Sequence, residues 1–106
     1  MFRLGIKALD DVLFDGQGIP GGSLIEITGT TDSGKTGLAL WACRTAMANP
    51  EVVVGWICAG SRLTRENVEW AEIDTTRFVI DEQTYGLPGL EAAIHMITHG
   101  CRLVVL

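Results

Sequence analysis

The chain has 106 residues, of which 47% are hydrophobic and 20% charged, and its formal net charge is −5. This length allows one domain at most, and the composition is that of a globular protein, which excludes disordered, collagen-like and membrane-spanning classes. Lys7 and Lys35 are the only lysines and no basic run exists, which disfavours free-standing nucleic-acid binding through phosphate neutralisation.

The apolar and turn residues predict an α/β fold with a mostly parallel sheet in a three-layer αβα arrangement. Residues 5–13 have apolar side chains at helical spacing, and four glycines and a proline mark residues 14–23 as a loop. The elements that follow alternate between strand and helix, starting with a strand, and cover 23–28, 34–48, 51–59, 61–73 (in part), 77–80, 87–100 and 101–106.

Three of these elements carry specific packing expectations. The helix at 34–48 is apolar on nearly every face, so we expect it to lie between layers. The strand at 51–59 is an apolar, β-branched run, as in a parallel sheet covered on both faces. The helix at 87–100 is amphipathic, with Gly100 suited to its C-terminal cap. Its apolar stripe contains Leu87, Leu90, Ala93, Ile94 and Ile97.

The cysteines point to a compartment rather than to a site. Cys43, Cys58 and Cys101 are far apart and form no CxxC pair, so neither a zinc site nor a disulfide framework is suggested. Odd, scattered cysteines at apolar positions are typical of buried thiols in a reducing environment. The start of the chain has no apolar signal-peptide core, and we expect a cytoplasmic protein without membrane association.

A glycine-rich loop between the first predicted strand and the helix after it fits the pattern G-x-x-x-x-G-K-[ST] in full. Its successive N–H groups and the positive end of the following helix are suited to a nucleotide phosphate. The lysine is placed to reach the β and γ phosphates, and the final hydroxyl is a Mg²⁺ ligand. The alternative is a glycine-rich turn without a ligand. The eight residues are Gly29, Thr30, Thr31, Asp32, Ser33, Gly34, Lys35 and Thr36.

The sequence resembles the RecA/RadA recombinase core over nearly all of its length. "GIKALDDVL", "GQGIPGGSLIEITG" and "TDSGKTGLAL" look like consecutive motifs of that family, and "VGWICA", "EIDTTRFVI" and "GLEAAIHMITHGCRLVVL" match in kind and order. The resemblance implies a P-loop NTPase fold, here the N-terminal half of the core over residues 1–106. It also implies ATP with Mg²⁺, and a role in DNA recombination or repair.

Two departures from the family bear on catalysis. The family's second strand ends in a glutamate that activates water, whereas the matching positions here are Cys58, Ala59 and Gly60. The Walker B aspartate would be the residue after Leu106, outside this sequence. The catalytic residues are therefore unknown, and we expect impaired hydrolysis in this chain. The family's DNA-binding loops would also follow Leu106, so single-stranded DNA binding is expected only in a longer or assembled form.

Three functions remain open at this stage. The first is an ATP-binding RecA-like protein of DNA recombination and repair with impaired hydrolysis, whether a fragment or a paralogue. The second is a non-hydrolysing regulatory partner of a RecA-like ATPase. Both functions imply self-association or a RecA-like partner. The third, a small-molecule kinase or GTPase, is disfavoured because no N-K-x-D guanine signature occurs.

Other side chains have two interpretations each. His95 and His99 have zinc-ligand spacing, but with Met96 in place of the H-E-x-x-H glutamate we assign them and Glu91 to a solvated face. We assign Trp41 and Trp56 to the core, although aromatic rings also stack bases, and Trp70 stays open, including as an adenine contact. An anion site and a solvated loop both account for Ser61, Arg62 and Arg65, and we favour the loop.

The predicted strands at 23–28 and 102–106 carry a further expectation. In the resembling family they are separated by a strand that comes later in the sequence. Without it, both would face a gap lined by unpaired backbone groups. We therefore expect the isolated chain to self-associate, to pair these two strands with each other, or to need the missing half as a second chain.

Overall fold

The computed structural model describes residues 2–30, 33–59, 63–83 and 87–106. Within these ranges the chain forms an α/β fold with four α-helices and three strands, and two short 3₁₀ turns at Leu13–Gly16 and Thr75–Arg77. In chain order the elements are α1 (Lys7–Asp10), α2 (Lys35–Ala46), β1 (Val54–Ala59), α3 (Arg65–Trp70), β2 (Phe78–Gln83), α4 (Leu87–Thr98) and β3 (Leu103–Val105).

The three strands form one open parallel sheet in the order β2-β1-β3. Val54 at the start of β1 is in register with Phe78 of β2 and Leu103 of β3. Parallel neighbours need a crossover. Here α3 lies in the connection from β1 to β2, and α4 in the connection from β2 to β3. The parallel sheet predicted from the sequence is confirmed for these three strands.

Helices cover both faces of the central strand β1. On one face Val54, Trp56 and Cys58 belong to a core cluster with Leu40 of α2 and Val68 of α3. On the other face Ile57 packs against Ala93 and Met96 of α4. The β1 strand is therefore buried from both sides, which confirms the expectation drawn from its continuous apolar run.

The guanidinium of Arg77 ties the C-terminal end of α2 to the start of β2. It donates to the backbone carbonyls of Met47 (3.0 Å), Asn49 (2.9 Å) and Val52 (2.9 Å), and its Nε donates to Asp74 (3.0 Å). A cation is favourable beside the unpaired carbonyls that end a helix. Because β2 begins beside the C-terminus of α2, this helix runs antiparallel to the strands.

The helix C-termini follow known cap geometry. Gly100 has φ 108°, the Cys101 N–H donates to Met96, and the Gly100 N–H donates to Ile97. This is a Schellman motif, and it confirms the role predicted for Gly100. The same pattern ends α3, where Glu72 takes the left-handed position with φ 54°.

The prediction of a strand at 23–28 is wrong. The segment belongs to none of the three strands, and its apolar side chains stand in solvent, with Leu24 98% exposed and Ile25 and Ile27 also exposed. Alternating apolar residues give strand propensity, but a strand forms only where a partner edge is available. The described part of β3 pairs with β1 alone, so the expected re-pairing of 23–28 with β3 does not occur.

Two helix predictions also need correction. The helix expected over 5–13 is shorter, since α1 covers Lys7–Asp10 and the turn after it places Phe14 and Asp15 in the left-handed region. In α4, the buried residues are Gly89, Ala93 and Met96, and Ala93 and Met96 pack against Ile57 of the sheet. This face took precedence over the larger apolar one because Gly55 of β1 leaves room for the Met96 side chain. The four large residues of the predicted stripe, hereafter the α4 stripe, are exposed: Leu87, Leu90, Ile94 and Ile97.

Candidate phosphate-binding site

The loop between the extended segment and α2 ends in a glycine whose backbone only glycine adopts readily. Gly34 has φ 92° and ψ 12° and is the N-cap residue of α2. A Cβ added at Gly34 would meet nothing within 4 Å. The glycine is therefore required by the left-handed backbone rather than by crowding, and the space in front of it is open to a ligand.

The first turn of α2 presents backbone donors to that space. The Leu38 N–H donates to the Gly34 carbonyl at 2.9 Å, and no side chain caps the helix. The N–H groups of Lys35, Thr36 and Gly37 precede the first possible intrahelical donor, so the helix itself offers them no acceptor. These groups carry the positive end of the helix dipole, which favours an anion.

The Lys35 side chain folds back over the loop. Its ammonium donates to the carbonyl oxygens of Gly29 at 2.6 Å and Thr30 at 3.3 Å. The Ser33 N–H donates to the Thr30 carbonyl at 3.2 Å, which closes the turn. An ammonium has three donors, so one remains for an anion after these two contacts. The structure thus gathers Gly29, Thr30, Ser33 and Lys35 around one exposed loop.

The fit to Mg²⁺ rests on Thr36. Its side chain is exposed in the first turn of α2, where the hydroxyl would offer one oxygen ligand. Over the described ranges, no three His, Cys, Asp or Glu side chains are grouped to hold a metal ion. Mg²⁺ in nucleotide sites keeps several waters and phosphate oxygens, so one hydroxyl fits an ion that arrives with phosphate. Thr31 and Asp32, the other two predicted site residues, lie outside the described residues.

The orientation of α2 sets where this loop stands relative to the sheet. Arg77 holds the C-terminal end of α2 at the edge where the parallel strands begin. The twelve residues of α2 span about 18 Å, so its N-terminal turn lies toward the edge where the strands end. In open α/β sheets, ligands bind outside the carboxyl ends of the strands.

Trp41 of α2 and Trp70 of α3 form an aromatic pair, and the sequence left the role of Trp70 open. The Trp41 and Trp70 rings are 5.9 Å apart between centroids, tilted by 48°. Trp70 is 60% exposed, whereas Trp41 is half-buried and its indole N–H donates to the Gly5 carbonyl at 3.0 Å. Trp56 is buried, which confirms its core assignment, while Trp41 lies at the border of the core.

The described end of β1 carries no carboxylate that could act in catalysis. Cys58 is buried in the core cluster, and Gly60 lies outside the described residues. On α3, Glu66 is exposed, and Glu69 is 3.4 Å from Arg65 in a surface pair. Among the described residues of β1 and α3, these positions therefore assign no catalytic carboxylate to the candidate site.

The remaining polar candidates lie on the surface. The rings of His95 and His99 stack with centroids 4.0 Å apart, and both residues are exposed, as is Glu91. Nδ1 of His99 lies 2.8 Å from the His95 carbonyl, so the main chain already occupies this nitrogen. The solvated-face prediction is confirmed for these three residues. Arg65 is solvated as favoured, while Ser61 and Arg62 lie outside the described residues.

The buried-thiol prediction is confirmed for Cys43 and Cys58, and Cys101 is half-buried. Burial raises the pKa of the Cys43 thiol to about 12, and partial burial also raises the pKa of Cys101. Both thiols are thus protonated at neutral pH and are poor nucleophiles. No described helix has the length and apolar composition needed to cross a bilayer.

Comparison of the chain with protein-family models, with curated proteins and with solved structures finds no match in any of the three.

Proposed function

We propose that this chain binds ATP or ADP together with Mg²⁺ through residues 29–36. The observation that carries the proposal is the convergence of three features on one open surface. These are the uncapped first turn of α2, the left-handed Gly34, and the Lys35 ammonium held over the loop by Gly29 and Thr30. Each of these features favours a phosphate group.

We further propose that the protein is a RecA-like ATP-binding protein of DNA recombination or repair, with hydrolysis impaired in this chain. The motif order from Gly5 to Leu40 supports the family assignment. Cys58, Ala59 and Gly60 stand where the family has a triplet that ends in a glutamate. This replacement supports the loss of hydrolysis, because phosphoryl transfer to water depends on a positioned water molecule. Single-stranded DNA would then bind only in a longer or assembled form.

The second candidate function is a non-hydrolysing regulatory partner of a RecA-like ATPase. The exposed α4 stripe and the unpaired apolar segment 23–28 favour it, since apolar surface of this extent is typical of a protein–protein contact. Light scattering should then give a mass above that of one chain, or should detect a complex with a RecA-like ATPase. A chain that stays monomeric and forms no such complex would remove this candidate.

The nucleotide proposal is tested by thermal shift, with the two lysines of the chain as a matched pair. Mg²⁺-ATP at a hundred times its dissociation constant should stabilise the folded state by about 2.7 kcal/mol. For a domain of this size, the melting temperature should rise by roughly 10 to 20 °C. Lys35→Ala should abolish the shift because it removes the ammonium at the loop.

The control is Lys7→Ala, which removes the same charge from α1. Lys7 forms an exposed pair with Asp11 at 2.6 Å, and loss of such a pair costs about 1 kcal/mol or less. This variant should keep the full nucleotide shift. Thr36→Val should keep a shift with ATP alone but lose the part that depends on Mg²⁺. An equal shift in Lys35→Ala, or none in the parent protein, would contradict the site.

Hydrolysis is tested separately by phosphate release with and without single-stranded DNA. We expect only a trace rate in both conditions, because the β1 end supplies no glutamate to activate water. DNA-stimulated turnover of about one per second that disappears in Lys35→Ala would show that a carboxylate elsewhere activates water.

A further inference from the structure

Trp70 is a large apolar side chain that the fold leaves in solvent. It is the last residue of α3, and Val68 and Ala71, which come two residues before it and one after it, are both buried, so the packing of α3 on α2 does not require an exposed ring at this position. An indole that is 60% exposed loses most of the hydrophobic stabilisation that burial would provide. Its position therefore calls for an explanation beyond folding.

The surroundings hold the ring in place from one side. The ring centroid of Trp70 lies 5.9 Å from that of Trp41. Trp41 is held by its hydrogen bond to the Gly5 carbonyl and by the Arg44 guanidinium, 4.8 Å from its ring centre. Arg44 is fixed in turn by a 2.9 Å contact with Glu72. Trp70 is thus supported on a surface of ordered side chains while much of its ring stays open.

The open ring borders the first turn of α2. A Cβ added to Gly37 would lie 3.7 Å from Cη2 and 3.8 Å from Cζ3 of Trp70, so the six-membered end of the indole faces this glycine. Gly37 follows Lys35 by two residues, which is about 3 Å along the helix axis. The ring of Trp70 therefore lies within van der Waals reach of the first turn of α2.

We propose that Trp70 is the base-stacking residue for the nucleotide whose phosphates are held at residues 29–36, an inference that rests on the proposed function. The ligand class is a nucleoside di- or triphosphate, whose base lies on the open part of the indole while its phosphates lie on the α2 turn. Every nucleobase has a π-face, so this contact distinguishes nucleotides from inorganic polyphosphate.

The test compares Mg²⁺-ATP with magnesium tripolyphosphate, which has the phosphates without the base. Affinities are measured by calorimetry for the parent chain, Trp70→Ala, Trp70→Phe, Lys35→Ala and the control Ile97→Ala. Ile97 is 59% exposed and lies on α4, across the sheet from α2. Loss of one stacked base weakens binding by roughly 5- to 150-fold.

We expect Trp70→Ala to weaken ATP binding by a factor in that range and to leave tripolyphosphate binding unchanged. Trp70→Phe should retain most of the ATP affinity because it keeps an aromatic face, and Ile97→Ala should match the parent for both ligands. ATP binding unchanged in Trp70→Ala, with both ligands still lost in Lys35→Ala, would overturn the stacking role and leave the phosphate site standing. Equal weakening of both ligands in Trp70→Ala would show a structural role only. A parent chain that binds neither ligand would refute both proposals.

Discussion

Replacement of Arg77 tests whether one side chain fixes α2 against the sheet. Arg77→Ala removes a guanidinium that bonds three backbone carbonyls and Asp74, and whose side chain is only 22% exposed. The carbonyls of Met47, Asn49 and Val52 would then lose their charged donor. They lie where α2 ends and the chain turns toward β1, so no element replaces the lost contacts.

The magnitude follows from the number and kind of these bonds. A hydrogen bond to a charged group is worth about 1.5 to 3 kcal/mol, but bonds that share one donor group do not add, and water can reach part of this site. We therefore expect Arg77→Ala to lower the free energy of unfolding by about 2 to 4 kcal/mol. For a domain of this size, the melting temperature would fall by roughly 10 to 30 °C.

Urea denaturation followed by circular dichroism measures this change, with Arg65→Ala as the control. The Arg65 side chain is 91% exposed and pairs with Glu69 at 3.4 Å on the surface, so its loss should change stability by about 0.5 kcal/mol or less. Arg77→Lys should fall between the parent and Arg77→Ala, because one ammonium cannot reach all three carbonyls. If both alanine variants match the parent, the Arg77 contacts contribute nothing to the free energy of unfolding and the prediction is wrong.

Two further predictions concern a pH dependence and a backbone conformation. Hydrogen bonds from Thr76 and Arg77 lower the pKa of Asp74 from 3.8 to about 2, so the stability that its carboxylate contributes is complete above pH 4 and is lost as the pH falls from about 4 to about 2. In urea titrations, Asp74→Asn should therefore be less stable than the parent at pH 6 but nearly equal to it at pH 2. A difference in stability that stays constant with pH would contradict the assignment. Gly100→Ala should lower the free energy of unfolding by about 1 to 2 kcal/mol, because φ is 108° there and nothing lies near the added Cβ. Gly21→Ala, with equal space and no positive φ, should be neutral or slightly stabilising in the same titration. Equal effects of the two substitutions would show that backbone conformation is not the cause.

The sequence predicted those elements whose signals are local. The helix after the glycine-rich loop, the strands at β1, β2 and β3, and the cap at Gly100 all follow from periodicity and from glycine or proline placement. The candidate site could be predicted for the same reason, since its loop and helix start are contiguous in sequence. The residues of the candidate site need no distant partner to be recognised.

The sequence failed where pairing partners decide the outcome. Segment 23–28 has the alternation of a strand, yet β3 pairs only with β1 in the described chain, and strand pairing is not encoded in the segment itself. The face of α4 was misjudged because Gly55 of β1 admits close approach. A Cβ at Gly55 would overlap the sulfur of Met96, so the Met96 face of α4 fits there only because position 55 is glycine, and the α4 stripe is left outside.

The long-range contacts of Arg77 and Trp70 were likewise invisible in the sequence. Arg77 reads as the first residue of a short strand, but its partners Met47 and Val52 are 30 and 25 positions away. Trp70 reads as part of a polar helix, but its ring meets Trp41 and Gly37 in the folded chain. Only the packing of α3 on α2 brings these groups together.

The candidate site is consequently fixed at one end and free at the other. Leu40 and Cys43 bury α2 in the core and Arg77 fastens its far end, so the backbone donors of its first turn are held in place before any ligand arrives. The segment that leads into the loop belongs to none of the three described strands, and the Gly29 and Thr30 carbonyls accept from the Lys35 ammonium, with a further bond from the Ser33 N–H to Thr30. Lys35 therefore bonds to the loop as well as supplying the charge for the proposed phosphate contact, and we expect both to be lost together when its side chain is removed.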